Sequence, residues 1–109
     1  MSENIYAELL RVARSGGVTH YSSLAPLVGV SIGDAAGRLR VAELLKEIST
    51  AEHAAGRPLL SAVVVMKGKK LPGAGFFGLA QRVGLYDGTD PQEFWRREVQ
   101  RVWDYWRER

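Results

Sequence analysis

The chain has 109 residues, of which 46% are hydrophobic and 25% are charged, so we expect one globular domain with a single modest core. Its 15 Lys and Arg residues outnumber 12 Asp and Glu residues and give a net charge of +3, which permits binding to nucleic acid but does not require it. Cysteine is absent, which excludes disulfides, thiolate catalysis and zinc sites built from cysteine.

The distribution of apolar residues bears on where the protein acts. No segment approaches the ~20 apolar residues of a membrane span, and the N-terminus has acidic residues and no long apolar run. We therefore expect no signal peptide, no contact with a membrane and a cytoplasmic location.

Two helices are predicted in the first part of the chain. The first spans residues 2–15, with Ser2 as its candidate N-cap, apolar residues at helical spacing and a pair of glycines after it. Residues 18–21 predict a short extended segment. A second, short helix follows, and either Ser22 or Ser23 is expected to cap it.

A third, longer helix is predicted to end near Gly56. The sequence SIGD at residues 31–34 has the spacing of a capping box and is expected to begin it. Gly37 interrupts its first turns and indicates a bend or the close approach of another group. The helix is expected to bury a stripe made of Val41, Leu44, Leu45, Ile48, Ala51 and Ala55.

An apolar strand and a basic turn come next. Residues 59–66 are apolar nearly throughout, which predicts a strand covered on both faces. The basic sequence KGKK at residues 67–70 predicts a turn, and Leu71 is expected to begin a return strand. Together they would form a β-hairpin, followed by a short helix over residues 76–83.

The last helix has the clearest signals. Asp90 is the predicted N-cap, Pro91 takes the first helical position and Glu93 completes the capping box. The apolar stripe of this helix is predicted to lie in the core or in an interface, and it consists of Phe94, Trp95, Val99, Val102, Trp103 and Trp106. We expect three of these residues to pack against the predicted strand, in a group made of Trp95, Val99, Trp103, Leu60, Val63 and Val65.

The order of elements predicts an α+β, mainly helical fold. Three helices followed by a β-hairpin form a winged helix-turn-helix, here with an added C-terminal helix. We expect a single domain over residues 1–109, with its core at residues 3–84 and the C-terminal aromatic helix at residues 91–107. In a winged helix the third helix enters the major groove and the hairpin tip reaches a nearby phosphate or the minor groove.

Two segments carry a resemblance to a known family. The sequence VTHYSSLA at residues 18–25 resembles the V-T-T-Y-G-x-[IL]-A stretch of the winged-helix domain of O6-alkylguanine-DNA alkyltransferases and the alkyltransferase-like proteins. Residues 58–64, Lys69 and the PGAGF sequence at residues 72–76 are similar to the P-C/W-H-R-V-V strand, the turn and the closing helix of that family. The likeness covers about residues 18–84 and leaves out the C-terminal helix.

The resemblance implies a surface that faces DNA, without the chemistry of the family. Tyr21 matches the tyrosine that contacts the target phosphate, and Arg38 lies in the helix that carries the intercalating arginine. Leu59 stands where the family has its reactive Cys or the substitute Trp, and Leu60 and Ser61 replace the His and Arg. A leucine accepts no alkyl group, so alkyl transfer is excluded.

No motif in the sequence indicates an enzyme. His20 and His53 lack the spacing of a metal-ligand motif, and the glycines of residues 73–78 lack the β-α-β context of a dinucleotide site. We expect no catalytic residue, no metal and no cofactor. The small residues at positions 33–37 also leave little for reading bases, which predicts recognition through the DNA backbone and its shape.

The leading prediction is therefore a non-catalytic module that binds duplex DNA. The residues expected to contact it are Tyr21, Ser22, Arg38, Arg40, Lys67, Lys69 and Lys70. The alternative is a protein-interaction module on the same fold, in which the Trp-rich last helix would pair with another protein or with a second copy to form a homodimer.

Overall fold

The computed structural model describes the backbone of residues 2–109 and the side chains of residues 4–109. This part of the chain is mainly helical, with one two-stranded parallel sheet. Ser2, the candidate cap of the first helix, lies outside the described side chains. The α-helices are α1 (Ser2–Ser15), α2 (Tyr21–Leu24), α3 (Ala35–Ala54), α4 (Ala74–Arg82) and α5 (Pro91–Trp106), the strands are β1 (Thr19–His20) and β2 (Val64–Val65), and two 3₁₀ helices span Ala25–Val28 and Leu60–Val63.

The first and last helices agree with the sequence prediction. α1 has the predicted bounds and ends where Gly16 takes a left-handed conformation with φ 72°. α5 begins as predicted, because the Asp90 side chain accepts a hydrogen bond of 3.1 Å from the backbone N–H of Glu93 and Pro91 takes the first helical position. Strong local signals at the helix ends are thus sufficient for these two elements.

The predicted caps of the second and third helices are wrong. α2 begins at Tyr21 directly after β1, so Ser22 lies inside the helix rather than before it. Asp34 precedes α3 without a side-chain cap, and the hydroxyl of Ser31 instead accepts a hydrogen bond of 3.3 Å from the N–H of Gly33. Ser31 thus stabilises the turn before α3, which competes with its capping of the helix.

The close approach that Gly37 indicates is present in the structure. A Cβ atom at this position would lie 2.0 Å from the backbone oxygen of Ser31, so only glycine fits. The turn before α3 therefore packs directly on the first turn of that helix. Of the predicted buried stripe, Ala51 and Ala55 are exposed, whereas the others are buried, namely Val41, Leu44, Leu45 and Ile48.

The predicted β-hairpin is the main difference between expectation and structure. Residues 60–63 form a 3₁₀ helix, and only Val64–Val65 is a strand, which pairs with Thr19–His20 in parallel. Leu71 accepts one hydrogen bond of 2.8 Å from the N–H of Met66 but lies in no strand. Pro72 follows it and has no N–H to extend a ladder, so no return strand forms in the described residues.

One hydrophobic core joins the elements and includes the C-terminal helix. α5 packs against α1 and against the 3₁₀ helix of residues 60–63. Four residues of the predicted contact are buried, namely Leu60, Val63, Val65 and Val99. Trp95 and Trp103 are half-buried at its edge, and their indole N–H groups donate to the carbonyls of Ala62 at 2.8 Å and Gly17 at 2.9 Å.

A buried carboxylate ties α5 to the segment before β2. The side chain of Glu98 is 3% exposed and accepts a hydrogen bond of 2.8 Å from the backbone N–H of Leu59. Its other oxygen accepts a bond of 2.6 Å from Arg101, which offsets the burial of the charge. The start of the 3₁₀ helix is therefore fixed by the C-terminal helix.

Length and apolar character decide whether a helix could span a membrane. α3 is 20 residues long and carries charged residues along its exposed side. None of the helices within residues 2–109 combines enough length with enough apolar character to span a bilayer.

Candidate functional site

A cavity of about 430 Å³ opens between α2, α3, the turn after β2 and the start of α4. Its interior is mainly apolar, and the walls include Leu45, Met66, Phe76 and Leu79. Three cationic side chains, all exposed, line it from two elements: Arg38 and Lys46 on α3, and Lys67 on the turn. We call this space, with its apolar walls and its three cations, the basic cavity.

The charge of the basic cavity has one sign. No Asp or Glu among the described residues lines it, so the three cations have no carboxylate of residues 4–109 facing them there. Arg38 is held in place because its guanidinium donates a hydrogen bond of 3.0 Å to the carbonyl of Ile32. A fixed guanidinium keeps its remaining N–H donors available for an anion.

Tyr21 connects α2 to the start of α4. Its hydroxyl accepts a hydrogen bond of 2.8 Å from the backbone N–H of Gly73. Burial raises the pKa of Tyr21, although the bond from Gly73 acts in the opposite direction, so the phenol is neutral at physiological pH. The phenolic hydrogen has no acceptor among the described residues, which leaves it free to donate to a bound molecule.

The structure brings together four of the seven residues predicted to contact DNA. Tyr21, Ser22, Arg38 and Lys67 all line the basic cavity. Arg40 does not line it, because two residues along a helix correspond to a rotation of about 200° and Arg40 therefore faces away from Arg38.

Lys69 and Lys70 do not line the cavity but lie beside it on the exposed turn. The turn is closed at its base, where the N–H of Lys70 donates to the carbonyl of Met66 at 3.1 Å. Lys70 has φ 57°, a left-handed conformation that costs a lysine about 1 kcal/mol or more. We call residues 67–70 the lysine turn; it holds three ammonium groups on a short backbone segment that is closed at its base.

Sequence reasoning missed part of the site. Lys46 lies one turn after Ala42 and two turns after Arg38, on the same face of α3, so its helical spacing could have identified it. The apolar walls were not recognisable, because Phe76 and Leu79 have the spacing of ordinary core residues.

The polar groups of the cavity do not form a catalytic arrangement of nucleophile and base. Ser61 is buried and its hydroxyl lies 2.6 Å from that of Ser49, with neither described histidine in hydrogen-bonding distance. His20 donates from Nδ1 to the carbonyl of Val65 at 3.2 Å. Within the described part of the chain, no three His, Asp or Glu side chains gather to hold a metal ion.

The arrangement is suited to binding an anion. Cations and a phenolic donor surround an apolar space, and the lysine turn extends the positive surface to one side. No family model, curated protein or solved structure matches this chain.

Proposed function

We propose that this protein is a non-catalytic DNA-binding module that contacts the phosphate backbone with the rim of the basic cavity and with the lysine turn. The observation that carries the proposal is the meeting of Arg38, Lys46 and Lys67 on one face, with no carboxylate among the described residues that line it. Such a face attracts a polyanion, and each lysine or arginine that neutralises a phosphate adds to the affinity.

The succession of the short helix α2 and the long helix α3 supports the choice of DNA as the polyanion. In this proposal α2 crosses the backbone and the start of α3 approaches the groove, as in winged helices. The lysine turn then takes the place of the hairpin wing and needs no return strand. The resemblance of residues 18–84 to the DNA-binding domain of alkyltransferases points to the same partner.

Recognition is proposed to depend on shape and backbone rather than on base sequence. Ala35 and Ala36 are exposed at the start of α3 and offer no polar group to a base edge. Arg38, the first long polar side chain of the helix, already donates to the carbonyl of Ile32. Leu59, at the position of the reactive cysteine in the alkyltransferases, is fully buried and offers no nucleophile.

The alternative, a protein interface built on the tryptophans of α5, has less support. Trp95 and Trp103 use their N–H groups inside the chain, and the ring of Trp106 is buried. The aromatic residues that motivated this alternative thus pack within the protein itself, and the proposed partner is DNA.

The proposal is tested by fluorescence anisotropy with a short labelled duplex at several salt concentrations. Replacing Lys69 and Lys70 by alanine should weaken binding and make the slope of log K against log salt shallower by up to about 2 units, near one for each phosphate that is no longer neutralised. The control replaces Arg96 and Arg97 by alanine. Both residues are exposed on α5, so this variant loses the same two positive charges at a different place on the surface.

Two results would overturn the proposal. One is an absence of binding by the wild-type protein at low salt. The other is an equal reduction of affinity in the lysine and arginine variants, which would mean that only the net charge matters and that the lysine turn forms no defined contact.

A further inference from the structure

We infer that the basic cavity binds a small organic anion with a flat apolar body, such as an aromatic carboxylate. This inference goes beyond the proposed binding of DNA, which needs only the rim and the lysine turn. It rests on three properties of the cavity: its apolar volume, its charge of one sign, and a hydrogen-bond donor that has no acceptor within the described part of the chain.

The volume is the first property. At about 430 Å³ the cavity lies in the usual range of small-molecule sites, which is roughly 300–1,000 Å³. Apolar walls come from α3, from the residue after β2 and from α4, through Leu45, Met66, Phe76 and Leu79. The phosphates of a DNA backbone are hydrated anions and gain nothing from contact with apolar walls. The body of an aromatic molecule, in contrast, is stabilised there because it is removed from water.

The charge selects the sign of the ligand. Arg38, Lys46 and Lys67 line the cavity without any Asp or Glu of residues 4–109 beside them, so a carboxylate is attracted and an ammonium group is repelled. Arg38 needs no reordering, because its bond to the carbonyl of Ile32 already fixes the guanidinium. Selection by charge is therefore the most direct property to test.

The donor is Tyr21. Its oxygen accepts from Gly73, and its hydrogen lacks an acceptor among the described residues. A carboxylate oxygen in the cavity would supply that acceptor. Tyr21 thus adds direction to a contact that the cations alone would leave undirected.

The experiment compares two probes with the same body and opposite charge, 2-naphthoate and 2-naphthylmethylamine. Binding is measured by isothermal titration calorimetry, and the site is located by changes in the amide NMR signals of the ¹⁵N-labelled full chain. We expect 2-naphthoate to bind and to shift signals around the cavity, among them those of Met66 and Gly73, whereas the amine does not.

Two pairs of variants locate the contact. Ala42 is exposed and lines the cavity, so Ala42→Trp should fill it and weaken naphthoate binding by about tenfold or more, whereas Ala54→Trp, at an exposed position outside it, should not. Lys67→Gln should weaken binding by up to about fivefold, the effect of removing one exposed charge, and Lys69→Gln should leave it unchanged.

The inference is overturned if millimolar 2-naphthoate shifts no cavity signal, if the amine binds as tightly, or if Ala42→Trp binds like Ala54→Trp. The duplex assay on the same proteins keeps the two proposals apart. Lys69→Gln should weaken duplex binding alone. Naphthoate binding without duplex binding would sustain this inference and refute the proposed function, and the reverse result would do the opposite.

Discussion

The close approach of Gly37 to Ser31 predicts both the sign and the size of the change in stability when Gly37 is replaced by alanine. Gly37 and Gly78 both lie in helices, where replacing glycine by alanine normally stabilises by about 0.5–1 kcal/mol. A Cβ at residue 78 meets nothing within 4 Å, whereas one at residue 37 would lie 2.0 Å from the carbonyl oxygen of Ser31. The same substitution should therefore have opposite effects at the two positions.

The magnitude follows from the displacement that the new methyl group requires. To reach an ordinary contact of 3.4 Å from 2.0 Å, the Ser31 carbonyl must move by about 1.4 Å. This movement also disturbs the hydrogen bond of 3.2 Å from the N–H of Asp34 to the same carbonyl. Overpacking of this kind costs about 1–3 kcal/mol or more and exceeds the gain of about 1 kcal/mol in helix propensity. We expect Gly37→Ala to destabilise the protein by about 2 kcal/mol, which is an overpacking cost of about 3 kcal/mol less the gain of about 1 kcal/mol in helix propensity.

Thermal unfolding followed by circular dichroism measures both variants. At about 4–8 °C per kcal/mol for a domain near this size, Gly37→Ala should lower Tm by roughly 8–16 °C. Gly78→Ala should raise it by roughly 2–8 °C. A Tm for Gly37→Ala equal to or above that of the wild type would refute the close packing of the turn on α3.

Two further predictions concern a helix cap and a partly buried phenol. Asp90→Ala should lower the free energy of unfolding by about 1 kcal/mol through removal of the cap on α5, and an unchanged urea midpoint would show that Asp90 is not the cap. Because burial raises the pKa of Tyr21 above its usual value of 10.0, the stability it confers is present below pH 10 and is lost as pH rises further. Tyr21→Phe should therefore lose less stability than the wild type between neutral and strongly alkaline pH; an identical decrease in both would contradict this assignment.

The elements that the sequence predicts best are those whose signals are local. α1 and α5 combine a regular apolar spacing with glycine or a cap at the ends, and their bounds follow from those signals. Residues 59–66 have no such period, because they are apolar nearly throughout, and a continuous apolar run does not distinguish a strand from a buried 3₁₀ helix.

Four of the residues that line the cavity were predicted from the sequence, namely Tyr21, Ser22, Arg38 and Lys67. The lysine turn is visible as KGKK, and Arg38 follows from the placement of the third helix. The cavity depends on α2, α3 and α4 meeting in space, which no local pattern encodes. The hydrogen bond from the N–H of Gly73 to the hydroxyl of Tyr21 joins residues 52 positions apart. The sequence around either residue does not indicate that the other is its partner.

The two-residue parallel sheet has a consequence for how the protein folds. Thr19 pairs with Val64 and His20 with Val65, so the pairing closes a loop that contains all of α3. Closing a loop of this length before other contacts form is entropically unfavourable, so we expect β1 and β2 to join late, after α3 has packed on α1. A pairing that forms last can also open first, so we expect amide hydrogen exchange at residues 19–20 and 64–65 to occur through a local opening that leaves α3 packed on α1. The basic cavity beside this seam would then be complete only while the pairing is closed.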